Sequence, residues 1–158
     1  MNRRLRRWLW EPLLVQLRQG LSPERLAWTV ATGLALGIFP VLGITTLLCL
    51  GAAQIARLNQ PVIHLVNQAA YPLQLLLLLP FMKLGIALIP GFELHLGLQE
   101  MLRFLATDTV GAIRALWGAS WRGQVAWLLV APPLACAVAL GLTPLFRTAA
   151  RRFQGNSA

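Results

Sequence analysis

Gly37-Ile38-Phe39-Pro40-Val41-Leu42-Gly43 interrupts a run of 31 residues, 26–56, that carries no charge. The proline removes a backbone donor and the two glycines permit a turn, so a helix that enters this run ends here. Residues 44–56 then form a second apolar stretch. About 14 residues of helix rise about 21 Å, less than the roughly 30 Å of a hydrocarbon core. The stretch predicts two short spanning helices or a re-entrant hairpin with its tip inside the membrane, and either returns the chain to its starting side.

The composition indicates a membrane protein. Of the 158 residues, 57% are hydrophobic and 12% are charged, whereas soluble domains have about 25% charged residues. Two further uncharged intervals, 58–82 and 123–146, are long enough to cross a bilayer. The composition excludes an ordinary soluble domain and a disordered chain. The net charge of +9 suits anionic lipids better than nucleic acid, since so apolar a chain has little hydrated surface for basic side chains.

The flanking residues complete the predicted organisation, a single membrane domain over residues 1–158. Residues 1–20 predict a basic amphipathic helix at the membrane surface, or a basic tail that sets topology. Its membrane-surface residues are Arg3, Arg4, Arg6, Arg7 and Trp8. We expect it to be retained, because Glu11, Pro12 and Arg18 interrupt any signal-peptide core.

The fold prediction is an all-α, small polytopic integral membrane protein with two segments broken by proline and glycine and with amphipathic interfacial helices. Ser22 and Pro23 are typical of a helix start. The predicted segments are a hairpin over 23–56 broken at Gly37–Gly43, a helix over 61–90 broken at Tyr71-Pro72, an amphipathic interfacial region over 92–122, a transmembrane helix over 124–146 kinked at Pro132-Pro133, and a basic tail over 147–158.

The distribution of basic residues predicts the topology. Ten arginines fall on one side if both termini share it, and three fall on the other. The positive-inside rule then places both termini in the cytoplasm of a bacterial inner-membrane protein. The number of crossings is even: four if the first hairpin spans the membrane, and two if it is re-entrant.

The two breaks predict a polar pocket. Irregular backbone at membrane depth is tolerated only where protein or a water-filled cavity satisfies the freed groups. Amides and a phenol surround the second break, and we expect them to face the first. Arg57 and Lys83 flank the pair of breaks and would hold an anionic headgroup. The candidate binding residues are Gly37, Pro40, Gly43, Thr45, Thr46, Arg57, Asn59, Asn67, Gln68, Tyr71, Pro72, Gln74 and Lys83.

A purely structural interpretation of the same residues stays open. Proline and glycine then only form a turn and a kink, threonines bond their own helices, Arg57 sets topology, and Lys83 extends to the membrane surface.

The function predicted from these features is the binding or translocation of an anionic, lipid-like or other small substrate. The alternative is a non-catalytic anchor or assembly subunit for a partner protein. Its small-residue face would be Gly33-Leu34-Ala35-Leu36-Gly37, since glycines four residues apart permit close helix contact. The five carboxylates form no pair on one buried helix, and the cysteines and histidines form no metal-binding pattern. We therefore predict neither enzyme activity nor a cofactor or metal.

The order of motifs resembles a bacterial membrane-protein family catalogued as domain of unknown function 2062. The motifs are Ser22-Pro23-Glu24-Arg25-Leu26-Ala27, the run from Gly33 through Gly37–Gly43 to Thr46, and Arg57-Leu58-Asn59-Gln60-Pro61. The family's later Asn-Pro is replaced here by Tyr71-Pro72. The resemblance implies a small prokaryotic inner-membrane protein. Some relatives are joined to glycosyltransferase-like domains, which implies a cell-envelope glycosyltransferase as the partner in the alternative function.

Overall fold

A computed structural model describes residues 22–41, 43–89 and 109–154. These residues form four helices and no strand: α1 (Pro23–Gly37), α2 (Thr45–Ile55), α3 (Gln60–Leu88) and α4 (Thr109–Gln154). The all-helical fold class is therefore confirmed for this part of the chain. The surface helix predicted for residues 1–20, the first part of the region over 92–122 and the end of the tail lie outside the described residues.

The first two helices form a hairpin around the proline-containing turn. The Ser22 side chain accepts a hydrogen bond from the Arg25 amide (3.3 Å) and caps α1. α1 ends at Gly37, and the chain turns through Gly43, whose φ of +88° favours glycine. The turn lies within the stretch that the sequence identifies as a break.

The end of α2 is a Schellman motif with an arginine in the position that glycine usually takes. The Leu58 amide donates to the Ala53 carbonyl (2.9 Å), and Arg57 between them has a φ of +51°. Asn59 follows, and its side chain accepts from the Val62 amide (3.1 Å) at the start of α3. The connection from α2 to α3 is therefore short, and hydrogen bonds fix both the end of α2 and the start of α3.

The break predicted at Tyr71-Pro72 is not present, because α3 continues through Pro72 and Pro80. A proline removes one hydrogen bond of the helix, and packing against neighbouring helices compensates for that loss in apolar proteins. The boundary predicted near residue 123 is also absent: α4 is continuous from Thr109 to Gln154 and includes Pro132-Pro133. The described part of the predicted interfacial region therefore belongs to the same helix as the predicted transmembrane segment.

α1, α3 and α4 pack side by side, with α4 antiparallel to the other two. Leu26 of α1, Val62 of α3 and Phe146 of α4 form one buried cluster. Ile38, Phe81 and Ala126 form a second cluster farther along the helices. α2 packs through Cys49 and Ala53 on Ile63 of α3.

Within residues 22–41, 43–89 and 109–154, two helices are long and apolar enough to cross a membrane: α3, and residues Ser120–Arg151 of α4. Only 17% of the most apolar window of each helix is buried within the protein. Large side chains such as Leu76, Leu79, Leu129 and Leu140 are more than half exposed. A lipid environment would cover them, whereas the core helix of a soluble protein would bury them.

Candidate functional site

The tip of the α1–α2 hairpin contacts the middle of α3 through Gln74. This residue lies 14 positions from each end of α3, or about 21 Å along the helix. Its side-chain Nε2 donates to the carbonyl oxygens of Phe39 (2.8 Å) and Val41 (3.2 Å). The side chain is only 1% exposed. The expectation that polar residues of the third apolar interval face the first break is met at Gln74.

α4 also holds the tip, through a residue that the sequence did not single out. The Trp127 indole Nε1 donates to the Ala35 carbonyl (2.9 Å), and its ring makes an edge-to-face contact with Phe39 (4.8 Å between centroids). Trp127 and Ala35 are 92 positions apart in the chain, and no local pattern connects them. With Gln74, Trp127 satisfies backbone carbonyls at the end of α1 and in the turn that follows it.

Five of the candidate residues are buried at the tip or on the α3 face below it, and we call them the tip cluster: Gly37, Pro40, Thr45, Asn67 and Gln74. Packing is closest at Gly37, where an added Cβ would lie 2.7 Å from Ala70 Cβ and 3.4 Å from Asn67 Oδ1. Thr45 is the first residue of α2. The tip cluster thus includes residues of three helices and extends over about two turns of α3, from Asn67 to Gln74.

Other candidates near the two predicted breaks do not join the tip cluster. Gly43, Thr46, Gln68, Tyr71 and Pro72 are exposed. On α3, the residues Asn67, Ala70 and Gln74 recur at three- or four-residue spacing on the buried face, whereas Gln68 and Pro72 lie on other faces of the helix. Five of the thirteen candidate binding residues therefore lie in the tip cluster.

Arg57 and Lys83 do not flank a common site. Lys83 follows the first residue of α3 by 23 positions, which is about 35 Å of continuous helix. Its neighbour Met82 lies beside Gly123 of α4, at the far end of the bundle. The two side chains are exposed at opposite ends, so they cannot hold one headgroup between them.

Basic residues collect at the end of the bundle where α1 and α3 begin. Arg147 of α4 forms an ion pair with Glu24 of α1 (Nε to Oε1, 2.7 Å), and Arg151 lies one turn beyond it. Arg25 and Arg57 are exposed at the same end. We call this set, Arg25, Arg57, Arg147 and Arg151, the arginine end. Asn59 also lies at this end, and its backbone N–H donates to Thr29 Oγ1 (3.4 Å).

An open cleft of about 270 Å³ lies at the arginine end. It is lined by Glu24, Arg25, Trp28, Thr32, Ala56 and Leu58. Arg57 lies between the last two and is exposed. The sequence analysis missed this cleft, although the four-residue spacing of Glu24, Trp28 and Thr32 places them on one face of α1.

Glu24 does not cancel the positive charge of the cleft, because Arg147 already engages its carboxylate. The hydrogen bond from Arg147 lowers the pKa of Glu24 below its usual value. At neutral pH, the four positive charges of the arginine end therefore outnumber this one ionised carboxylate. An anion is the ligand that this balance favours.

The fold and the cleft define an all-helical protein with two helices that are suited to crossing a membrane and a basic cleft at one end. The chain belongs to the family described as "Uncharacterized protein conserved in bacteria (DUF2062)", whose sequence model matches residues 2–154. The resemblance seen in the motifs is thereby confirmed and extends over nearly the whole chain. Comparison with curated proteins and with solved structures finds no match.

Proposed function

We propose that the protein is an integral protein of the bacterial inner membrane, with both termini in the cytoplasm, that binds an anionic lipid headgroup at the arginine end. The observation that carries this proposal is the cleft, which is lined by Arg25 and the exposed Trp28, and by Ala56 and Leu58 on either side of Arg57 in the chain.

Charged residues divide the bundle into levels that match a bilayer. Arg122 and Arg147 of α4 bracket 24 uncharged residues, about 36 Å of helix. Arg122 lies beside Gly85 of α3, so it and Lys83 lie at a similar level. The arginine end and this second charged level are therefore separated by slightly more than a hydrocarbon core of about 30 Å.

The hairpin favours two crossings rather than four. Its tip contacts Gln74, halfway along α3, and Ile38 packs in the cluster that contains Phe81, so its described contacts with α3 end before Lys83. We infer that α1 and α2 enter the membrane and return, while α3 and α4 cross it. The arginine end and both termini then lie on one side, which the positive-inside rule assigns to the cytoplasm.

The cleft has the groups that an anionic lipid requires. Arg25 and Arg57 provide guanidinium groups, which bind phosphate oxygens in pairs of parallel hydrogen bonds. Trp28, 44% exposed, is amphipathic and suited to the level of lipid headgroups. Thr32 lies one turn beyond Trp28 on α1, toward the apolar surface, where an acyl chain would lie.

The alternative function, an anchor for a partner protein, has weaker support. Its predicted contact face is already used within the chain: a Cβ at Gly33 would lie 3.0 Å from the Ile63 carbonyl oxygen, and Gly37 packs on Ala70. Absence of enzyme activity remains a prediction from the sequence.

The test is native mass spectrometry of the full-length protein in detergent with added phosphatidylglycerol or phosphatidylcholine. We expect one phosphatidylglycerol to bind in preference to phosphatidylcholine. Arg57→Gln should weaken this binding at least about tenfold, since it removes a charge-assisted pair of hydrogen bonds. Lys83→Gln is the matched control, because it removes an exposed cation from the opposite end of α3.

An equal loss of phosphatidylglycerol binding in Arg57→Gln and Lys83→Gln would indicate attraction to net charge alone and would contradict a site at the cleft. Equal binding of the two lipids by the unmodified protein would contradict the proposal as a whole. Recovery of a stoichiometric polypeptide in place of lipid would favour the anchor function.

A further inference from the structure

The outward face of α3 carries an amide side chain at membrane depth. Gln68 follows the first residue of α3 by eight positions, which is about 12 Å of helix. Its side chain is exposed and makes no hydrogen bond among the residues that the structure describes. Given the crossing of α3 proposed above, on which the inference below depends, this amide would face acyl chains, which offer it no hydrogen bond.

Pro72 leaves a second polar group on the same face of α3. In a helix, the N–H of residue 72 donates to the carbonyl oxygen of residue 68, four positions earlier, but proline has no N–H. Pro72 lies inside α3, so the Gln68 backbone carbonyl lacks its helical donor. Neighbouring helices satisfy such groups in membrane proteins. Gln68 and Pro72 are both exposed, so none of the other described helices covers them.

Residues on this face of α3 recur with the spacing of a contact between two helices. Six of them follow one another at alternating intervals of four and three residues, and we call them the α3 seam: Pro61, Leu65, Gln68, Pro72, Leu75 and Leu79. All are exposed except Leu65, which is partly buried. Apolar residues at this spacing pack two helices together, and a single polar residue among them fixes which residues meet. The α3 seam is about 27 Å long, close to the roughly 30 Å of a hydrocarbon core.

A second copy of this chain has the chemistry that the α3 seam requires. Copies inserted by the same rule have the same orientation in the membrane. In a pair related by a two-fold axis along the membrane normal, each seam residue therefore meets its counterpart at the same depth. An amide can bond to an identical amide, because it has both N–H donors and a carbonyl acceptor. The α3 seam carries no charge, so two copies do not repel each other.

We propose that two copies of this chain form a parallel dimer through the α3 seam. The Gln68 side chain of each copy donates to a Gln68 oxygen of the other, either in the side-chain amide or in the backbone carbonyl that Pro72 leaves without a donor. The leucines of the α3 seam pack against each other above and below this level. No residue of the α3 seam lines the cleft, so lipid binding at the arginine end does not depend on the dimer.

The test is energy transfer between copies of the full-length protein that carry a donor or an acceptor fluorophore, in phosphatidylcholine vesicles at decreasing ratios of protein to lipid. We expect a saturable dimerisation curve. Gln68→Leu should weaken the dimer at least about fivefold, since it removes a symmetric pair of interhelical hydrogen bonds. Gln54→Leu is the matched control, because it makes the same change at an exposed glutamine of α2, and should leave the affinity unchanged. In excess micelles, where the copies separate, Gln68→Leu should keep the circular dichroism and melting temperature of the unmodified protein.

Disulfide cross-linking locates the contact. With Cys49 and Cys136 replaced by alanine, Leu75→Cys should join two copies when membranes are oxidised with copper phenanthroline. Leu73→Cys is the control and should not: this residue is also exposed, but it lies about 140° around the helix from Gln68.

Three results would each overturn the dimer: energy transfer no greater than random proximity produces, equal affinity of Gln68→Leu and the unmodified protein, or a cross-link from Leu75→Cys to a different polypeptide. Extraction of the protein from the vesicles by alkaline carbonate would overturn the crossing of α3 and the dimer with it. Because Arg57→Gln tests lipid binding separately, failure of the dimer alone is distinguishable from failure of the proposed function.

Discussion

Replacement of Gln74 by methionine tests how the hairpin is held inside the bundle. Methionine has a similar length and flexibility but no donor. Gln74→Met would leave the carbonyl oxygens of Phe39 and Val41 without the partner that now lies 2.8 and 3.2 Å away. The Phe39 carbonyl keeps the Val41 backbone amide as a donor (2.8 Å), so the Val41 carbonyl is the group that loses its partner. One unsatisfied buried group costs about 1–3 kcal/mol, and we expect the free energy of unfolding to fall by about that amount.

The assay is equilibrium unfolding in mixed micelles by titration with sodium dodecyl sulfate, followed by far-ultraviolet circular dichroism. Gln68→Met is the control, because this amide on the same helix is exposed and its loss should change stability by less than about 0.5 kcal/mol. Hydrogen exchange should also show faster opening of residues 39–48 in Gln74→Met, since the hairpin loses its attachment to α3. Equal stability of the two variants would refute the role assigned to Gln74.

Three further predictions concern the backbone and the arginine end. Arg57→Gly should raise the free energy of unfolding by about 1 kcal/mol, because glycine adopts a φ of +51° without strain. The same variant should bind phosphatidylglycerol more weakly. A rise or a fall of stability and affinity together would contradict this prediction. Gly85→Ala should destabilise by about 1–3 kcal/mol, since a Cβ there would collide with the backbone of α4, whereas Gly51→Ala, with open space around it, should stabilise by up to about 1 kcal/mol. The ion pair with Arg147 lowers the pKa of Glu24, so the carboxylate stabilises the fold above its unfolded pKa and this contribution is lost as pH falls through its folded pKa. The melting temperature of Glu24→Gln should therefore fall less than that of the unmodified protein between pH 6 and pH 3. Identical pH profiles of the two proteins would count against the ion pair.

The first break could be predicted from the sequence, because its cause is local. Proline and two glycines within seven residues favour a helix end and a turn through their own backbone chemistry. The polar partner of the break, Gln74, was also among the candidates, because an amide in the middle of an apolar run requires a hydrogen-bond partner. Local chemistry and the cost of burying polar groups were sufficient to predict the first break and its polar partner.

The features that the sequence did not predict, or predicted wrongly, depend on contacts between distant segments of the chain. Whether Pro72 breaks a helix is decided by the packing of α3, and the continuous helix in turn separates Lys83 from Arg57. The bond from Trp127 to Ala35 crosses 92 positions. The cleft forms only because the α2–α3 connection returns beside Trp28 of α1. No periodicity along the chain encodes such proximities.

The most direct test of the account is the accessibility of single cysteines from the two sides of the membrane. With Cys49 and Cys136 replaced by alanine, Gln54→Cys, Lys83→Cys and Thr46→Cys would each be treated with a membrane-impermeant maleimide in spheroplasts and in inverted vesicles. A re-entrant hairpin predicts labelling of position 54 only in inverted vesicles, of position 83 only in spheroplasts, and of position 46 in neither. Labelling of position 46 in spheroplasts, or of positions 54 and 83 from the same side, would contradict the two-crossing arrangement.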